Sequence, residues 1–353
     1  MDSMYYSKKN GGGMGYSVIP YLEKLAMDKN NIHFSNKKSP IIGGIQTTER
    51  TSFTTGSVFG AMCGVPYLGI NQEDQQSEEF FNNLSCISEL LMDQNYITSA
   101  TFGSSMYEWG YGRIFETHHF QRITSLRDMK KGVEGGEYIP DHITWEFFIN
   151  ELNDLSKKDN PFFAFMSTID THEPGFSCKL CEKTKIKPDM VKAANCADKQ
   201  LKKFMEWAKK QEWYQNTVII IYGDHVSRDW YLNQIANSRG CRKRSVYNVI
   251  INSEVKSGKH DERTFTHYDM MPTVLAAAGV KIKGDRLGIG VNLFSSLETN
   301  YEKYGKRFTD SFSESVHWYG TEILQRPAIC DGFNPCINLD KLELYTNISQ
   351  EIV

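Results

Sequence analysis

The sequence predicts an α/β protein with three layers, in which helices cover both faces of a mainly parallel central sheet. Two observations favour this class. Segments with apolar residues at helical spacing alternate along the chain with short, strand-like apolar segments, which is typical of parallel sheets buried on both faces. Acidic and imidazole side chains also follow two of the predicted strands directly, where open α/β sheets bind ligands.

Each element has its own signal. The early helices have apolar residues three to four positions apart, and the helix over 144–160 ends at Asn160-Pro161. The helix over 190–213 has a continuous apolar stripe, whereas the strands are short apolar, β-branched runs. In chain order the pattern predicts helices over 18–30, 79–94, 144–160, 190–213 and 269–279, and strands over 31–36, 96–103, 161–170, 217–222 and 246–253.

Length and composition exclude several classes of function. The chain has 353 residues, 40% of them hydrophobic, so it can bury a sizeable core. Its net charge of −3 argues against a nucleic-acid partner, which requires a strong basic excess. No apolar run reaches the roughly 18 residues that span a bilayer, and the first residues lack the apolar core of a signal peptide. We predict one domain over 1–296, followed by a C-terminal appendage over 297–353.

The eight cysteines leave three interpretations open. Cys178 and Cys181 form a CxxC pair, and Cys330 and Cys336 form a second local pair. Pairs of this kind suit disulfides in an oxidising compartment. A zinc site is a second possibility, although the sequence has no second CxxC and no histidine pair at finger spacing. Scattered buried thiols are the third.

The segment "TVIIIYGDHVS" (217–227) delivers an acid and an imidazole to the end of a predicted strand. His172, in "DTH", follows another strand, so both groups should meet at one sheet edge. A carboxylate and an imidazole, here Asp224 and His225, suit Mn²⁺ or Zn²⁺, and an oxygen-rich site favours Mn²⁺ or Mg²⁺. The alternative is a structural Asp–His hydrogen bond that caps the strand.

The hydroxyl-rich stretch "TTERTSFTTGSVFGAMCGVP" (47–66) precedes an apolar, helix-like run. Threonine or serine at a helix start is first of all a cap. Free N–H groups and the helix dipole also make this position a phosphate site. A metal-bound threonine hydroxyl there could attack phosphorus.

Four ordered blocks then point to a family: "ERTSFTTG", "PFFAFMSTIDTHEP", "CADKQLKKFMEWAKKQEWYQNTVIIIYGDH" and "FTHYDMMPTVLAAAGVKIKGDRLGIGVNLFS". From about Val18 to Ser296 the chain resembles the alkaline-phosphatase/sulfatase superfamily, in particular its phosphoglycerol transferase and lipoteichoic-acid-synthase branch. The resemblance implies the alkaline-phosphatase-like fold. It also implies a transferase of substituted phosphate groups.

Carried over residue by residue, the resemblance makes Thr51 the metal-bound nucleophile, with Ser52 as the fallback if the register shifts by one. It makes Asp224 and His225 metal ligands, with Mn²⁺ as the expected ion and Mg²⁺ or Zn²⁺ possible. His172 would contact the transferred phosphoryl group. A looser match places His267 near the metal and the substrate.

The chain departs from the family pattern in three respects. The family's first strand ends in a glutamate that binds the metal, and this glutamate would lie just before Met1. The first strand and its ligand are therefore expected to be missing from this sequence. Asp2 is a doubtful substitute for the glutamate. Membrane-spanning helices of relatives would also lie upstream. A tryptophan and an arginine that the lipoteichoic-acid-synthase branch has between the nucleophile block and the "DTH" block have no clear match here, although Trp109 and Arg113 are nearby.

The resulting hypothesis is a two-step transfer of phosphoglycerol from a phospholipid such as phosphatidylglycerol to a glycan or glycerol-phosphate hydroxyl. Phosphoethanolamine transfer, hydrolysis of phosphate or sulfate esters, and non-catalytic polyanion binding are the alternatives. The family context implies an extracytoplasmic location, attached to the membrane through upstream segments. It also implies disulfides Cys178–Cys181 and Cys330–Cys336.

Overall fold

The computed structural model describes residues 1–68, 81, 83–130, 138–176, 178, 180–181, 185–240, 243–256, 258–313 and 319. Its centre is a parallel sheet of β1 (Ile97–Phe102), β2 (Arg122–Thr124) and β3 (Phe162–Ser167), in the order β2-β1-β3. β1 and β3 pair along their whole length, from Ile97 opposite Phe162 to Phe102 opposite Ser167.

Two antiparallel pairs complete the strands. β4 (Ile219–Tyr222) pairs with β5 (Asn248–Ile251), and β6 (Arg286–Leu287) forms a small hairpin with β7 (Gly290–Val291). β3 and β4 are half-buried at every position, and in the described ranges no ladder joins them. The absence of a first strand, expected from the sequence, stays a prediction.

Helices surround the strands. The helix Thr54–Cys63 is followed by Gly64, whose φ of 68° gives the left-handed cap that glycine adopts at no steric cost. In chain order the helices are α1 (Pro20–Met27), α2 (Thr54–Cys63), α3 (Ile87–Met92), α4 (Tyr111–Thr117), α5 (Leu126–Met129), α6 (Asp141–Leu155), α7 (Asp189–Ala208), α8 (Trp230–Ser238), α9 (Met270–Ala277), α10 (Asn300–Tyr304) and α11 (Lys306–Asp310). None of the helices in the described ranges is both long and apolar enough to cross a bilayer.

The two faces of β3 contact different cores. Phe162, Ala164 and Met166 pack against a cluster built from α1, α6 and α7. Phe163 and Phe165 point the other way, into a cluster built from α2 and α4. Alternate burial of this kind requires helices on both faces of the sheet, so the three-layer α/β/α prediction is confirmed.

Several predicted elements differ in extent. The predicted strand over 31–36 makes only an isolated bridge, Ile32 to Ile250. The helix predicted over 190–213 ends at Ala208, and a 3-10 turn follows at Glu212–Asn216. The domain boundary at 296/297 stays a prediction; beyond it, Glu302 of α10 forms an ion pair with Arg263 at 3.0 Å.

The disulfides correct the expectation from local spacing. Cys181 bonds to Cys196 of α7, and Cys178 is a buried free thiol, so the predicted Cys178–Cys181 bond is wrong. The cause is tertiary, because α7 brings Cys196 against the turn that contains both members of the CxxC pair. A second disulfide joins Cys63 to Cys86. The predicted Cys330–Cys336 bond lies outside the described residues.

Candidate active site

The site lies where β4 ends. Thr54 donates a hydrogen bond from Oγ1 to Asp224 Oδ2 at 2.8 Å, and His225 Nε2 lies 3.3 Å from the same oxygen. Burial by itself would raise the pKa of Asp224. The neighbouring His225 and the Thr54 hydrogen bond outweigh burial and lower this pKa to about 2. The carboxylate is therefore ionised at neutral pH.

Thr54 is the first residue of α2, and it is only half-buried. The preceding residue, Phe53, gives the helix no side-chain cap. Free N–H groups at the start of a ten-residue helix favour an anion, and the helix dipole adds to this preference. The hydroxyl thus lies where a phosphate group would be held.

Thr51 and Ser52 have other partners. Thr51 is fully buried, and its Oγ1 accepts a hydrogen bond from the Thr48 backbone N–H at 2.9 Å. Ser52 is exposed and donates to the Glu49 carbonyl at 2.7 Å. The structure therefore brings Thr54, rather than either predicted hydroxyl, to Asp224. The sequence showed a hydroxyl-rich helix start, but it did not fix which hydroxyl begins the helix.

His172 follows β3, as predicted, and it is half-buried. Its Nδ1 lies 2.9 Å from the Glu173 carbonyl, which fixes the ring and leaves Nε2 for a ligand. The Trp109 ring stacks on it, with centroids 5.9 Å apart and planes at 13°. Thr55 Oγ1 donates to the Trp109 carbonyl at 3.1 Å. The loop that contains Trp109 thereby connects the start of α2 to His172, a role that the sequence did not assign.

Glu173 joins the two loops of the site. Its Oε1 accepts hydrogen bonds from the Arg228 backbone N–H at 2.6 Å and from Ser227 Oγ at 3.1 Å. The segment after His172 is thus held against the segment after His225. Sequence reasoning missed this contact, since the two segments are more than fifty residues apart.

His267 is fully buried and contacts Gly223, the residue before Asp224. Its Nε2 lies 3.1 Å from the Gly223 carbonyl, which accepts the N–H and leaves a lone pair on Nδ1. Among the described residues, that Nδ1 has no hydrogen-bond partner. Burial lowers the pKa of His267 to about 4, so the ring is neutral and able to act as a ligand.

These residues fit a divalent cation. His225 Nδ1 lies 2.9 Å from the Val226 carbonyl, to which it can donate only as N–H. The Nε2 lone pair then faces the ionised Asp224 at 3.3 Å, and a proton or a metal ion is needed between two such acceptors. A hydroxyl, a carboxylate and an imidazole form a mixed oxygen and nitrogen donor set.

Both side-chain oxygens of Asp2 accept hydrogen bonds. It is 1% exposed, and its Oδ2 accepts from Arg244 Nη1 at 2.7 Å and from the Ser227 N–H at 3.0 Å. Its Oδ1 accepts from the Met4 N–H at 2.9 Å. Hydrogen bonds to both oxygens thus hold Asp2 against Arg244 and the segment after His225, and its role as a substitute metal ligand stays a doubtful prediction.

Comparison with known proteins identifies the family of the chain. Residues 1–280 match the family model described as Sulfatase. Phosphoglycerol transferase I of Citrobacter koseri is 24% identical over 204 residues, which cover 52% of this chain and 26% of the relative. Phosphoglycerol transferase I of Escherichia coli matches with the same identity and coverage. The chain thus spans about a quarter of the length of the curated relatives it matches.

Solved structures share the fold. A protein of the alkaline phosphatase superfamily from Vibrio parahaemolyticus has a TM-score of 0.66 at 21% identity, covering 85% of this chain and 69% of its own. The lipoteichoic acid synthase of Listeria monocytogenes has a TM-score of 0.64 at 17% identity, with 79% and 70% covered. The C-terminal periplasmic domain of Escherichia coli EcEptC, solved in complex with Zn, has a TM-score of 0.55 at 12% identity, with 84% and 85% covered.

Proposed function

The chain belongs to the sulfatase family, and on that premise we propose that it transfers phosphoglycerol from a phospholipid such as phosphatidylglycerol to a glycan or glycerol-phosphate hydroxyl. The observation that carries the proposal is the 2.8 Å hydrogen bond from Thr54 to Asp224 at the start of α2. The curated relatives named phosphoglycerol transferase I support the choice of transferred group.

Thr54 replaces Thr51 as the proposed nucleophile. Asp224 orients the hydroxyl, and the N–H groups at the start of α2 stabilise the negative charge on the phosphoryl oxygens. In the first displacement, the Thr54 hydroxyl gives up its proton to water, its Oγ1 bonds to phosphorus, and diacylglycerol leaves with the electron pair of the broken P–O bond. In the second, the acceptor hydroxyl attacks phosphorus and releases Thr54.

His172 is the proposed acid and base. Because its Nδ1 is held by the Glu173 carbonyl, Nε2 is the atom that exchanges a proton with the leaving oxygen and then with the acceptor hydroxyl. Trp109, stacked on the same ring, limits its rotation and screens it from water.

Thr54, Asp224 and His225 would hold a divalent cation, with His267 next to them. We propose Mn²⁺, with Mg²⁺ or Zn²⁺ as alternatives. When bound, such a cation lowers the pKa of the Thr54 hydroxyl and offsets phosphoryl charge. In isothermal titration of Mn²⁺, Asp224→Asn should weaken binding at least tenfold, and unchanged affinity would remove Asp224 from the ligand set.

We further propose an extracytoplasmic location, with membrane association through segments outside this chain. The two disulfides, Cys63–Cys86 and Cys181–Cys196, support it, since structural disulfides persist in oxidising compartments.

The decisive experiment uses the purified chain, Mn²⁺ and vesicles containing fluorescent phosphatidylglycerol. We expect release of diacylglycerol and a phosphoglycerol adduct, which fragment-ion mass spectrometry would locate on Thr54. Thr54→Ala should abolish both signals, whereas the matched control Ser52→Ala should retain them. Turnover by Thr54→Ala at the wild-type rate, or an adduct on Thr51, would refute the assignment.

A further inference from the structure

A cluster of three buried sulfur atoms lies beyond the loop that contains His172. Cys181 and Cys196 form a disulfide, and the free thiol of Cys178 lies 3.7 Å from Cys196 Sγ. All three cysteines are at most 6% exposed. A distance of 3.7 Å is van der Waals contact between sulfur atoms, so the thiol touches one end of the disulfide.

We propose that this cluster is a thiol–disulfide exchange site, in which Cys196 alternates between Cys181 and Cys178 as its partner. Cys178, as the thiolate, attacks Cys196 Sγ. A Cys178–Cys196 bond forms, the Cys181–Cys196 bond breaks, and Cys181 leaves as the thiolate and takes up the proton that Cys178 lost. The number of disulfides is unchanged, so no external oxidant or reductant enters the step.

Gln200 holds the reacting atoms together. Its Nε2 lies 3.5 Å from Cys196 Sγ and 3.9 Å from Cys178 Sγ, within donor range of both. Burial, with the nearby carboxylates of Asp170 and Asp141, raises the pKa of the Cys178 thiol. The resting thiol is therefore protonated, and exchange is slow compared with that of an exposed thiolate.

The exchange would change which cysteine bonds the His172 loop to α7. The start of this loop is fixed, because the Asp170 carbonyl accepts the Phe176 N–H at 2.8 Å and Asp170 Oδ1 accepts the Asp141 N–H at 3.2 Å. Its far end is attached to α7 through Cys181. Attachment through Cys178 would bring the attachment point three residues nearer to His172 along the chain.

Disulfide mapping tests the pairing directly. The full chain is equilibrated in a glutathione buffer, quenched in acid, alkylated in denaturant and digested with trypsin. Cleavage after Lys179 separates Cys178 from Cys181, so mass spectrometry distinguishes the two linked peptides. We expect both in the wild type. We expect only Cys178–Cys196 in Cys181→Ser and only Cys181–Cys196 in the control Cys178→Ser.

Two results would overturn the proposal: alkylated Cys178 and Cys196 in Cys181→Ser, or Cys181–Cys196 as the sole pairing in the wild type. The wild-type map decides the matter even if a variant fails to fold. The effect on the loop is read from the NMR signal of the His172 ring, which the Trp109 ring current shifts. Different shifts in the two variants are expected, and identical shifts would refute the link to the loop. Neither readout requires turnover, so both are independent of the proposed transferase activity.

Discussion

Replacing Asp2 with alanine tests what holds the segment after His225 in place. The change removes the carboxylate that accepts the hydrogen bond from Arg244 at 2.7 Å and those from the backbone N–H groups of Ser227 and Met4. The Arg244 side chain is only 12% exposed, so it would stay charged and largely buried without its counter-ion. Breaking one partner of a buried pair costs about 3–5 kcal/mol, and we expect about 4 kcal/mol for Asp2→Ala.

Urea unfolding of four proteins measures this cost: wild type, Asp2→Ala, Arg244→Met and the double variant. The double variant should lose less than the sum of the single variants, because it has no uncompensated charge, and the difference is the coupling energy. Glu206→Ala, which breaks an exposed pair with Lys202 at 3.7 Å, is the matched control and should cost below about 1 kcal/mol. A loss in Asp2→Ala as small as that of the control would refute the reasoning.

Two further predictions concern buried charge. Burial raises the pKa of Asp198 and of Asp269 to about 6, against 3.8 for an ordinary aspartate. Below about pH 4 both groups are protonated in the folded and the unfolded chain, and their contribution to stability is fully present. As the pH rises through 6, the unfolded chain loses these protons first, so the free energy of unfolding falls by about 3 kcal/mol for each group. Urea unfolding from pH 4 to 7 should show a weaker decline in Asp198→Asn than in the wild type, and equal slopes would contradict the pKa. Arg263→Met should cost about 3 kcal/mol, since it leaves the half-buried Glu302 without the charged partner now at 3.0 Å. Limited proteolysis should then cut the chain after residue 297 faster than in the wild type, and an unchanged rate would show that the ion pair does not anchor α10.

Local sequence patterns were sufficient to predict the layers of the fold. The continuous apolar run "PFFAFMS" predicted a buried strand, and β3 sends alternate residues into two separate cores. The sequence also predicted that acidic and imidazole groups lie at strand ends, because side chains that follow parallel strands share one edge of the sheet. His172 follows β3 and Asp224 follows β4, and the hydrogen bonds of Glu173 hold the two segments against each other.

By itself, the sequence determined the α/β class, the family and the segments that form the site, since these depend on periodicity and on short ordered motifs. Only the tertiary structure decided which hydroxyl contacts Asp224 and which cysteine bonds Cys196. Thr51 and Thr54 differ by less than one helical turn, so the exact start of α2 determines which of them faces the carboxylate. The disulfide depends on where α7 packs, and packing between segments distant in sequence leaves no mark in local spacing.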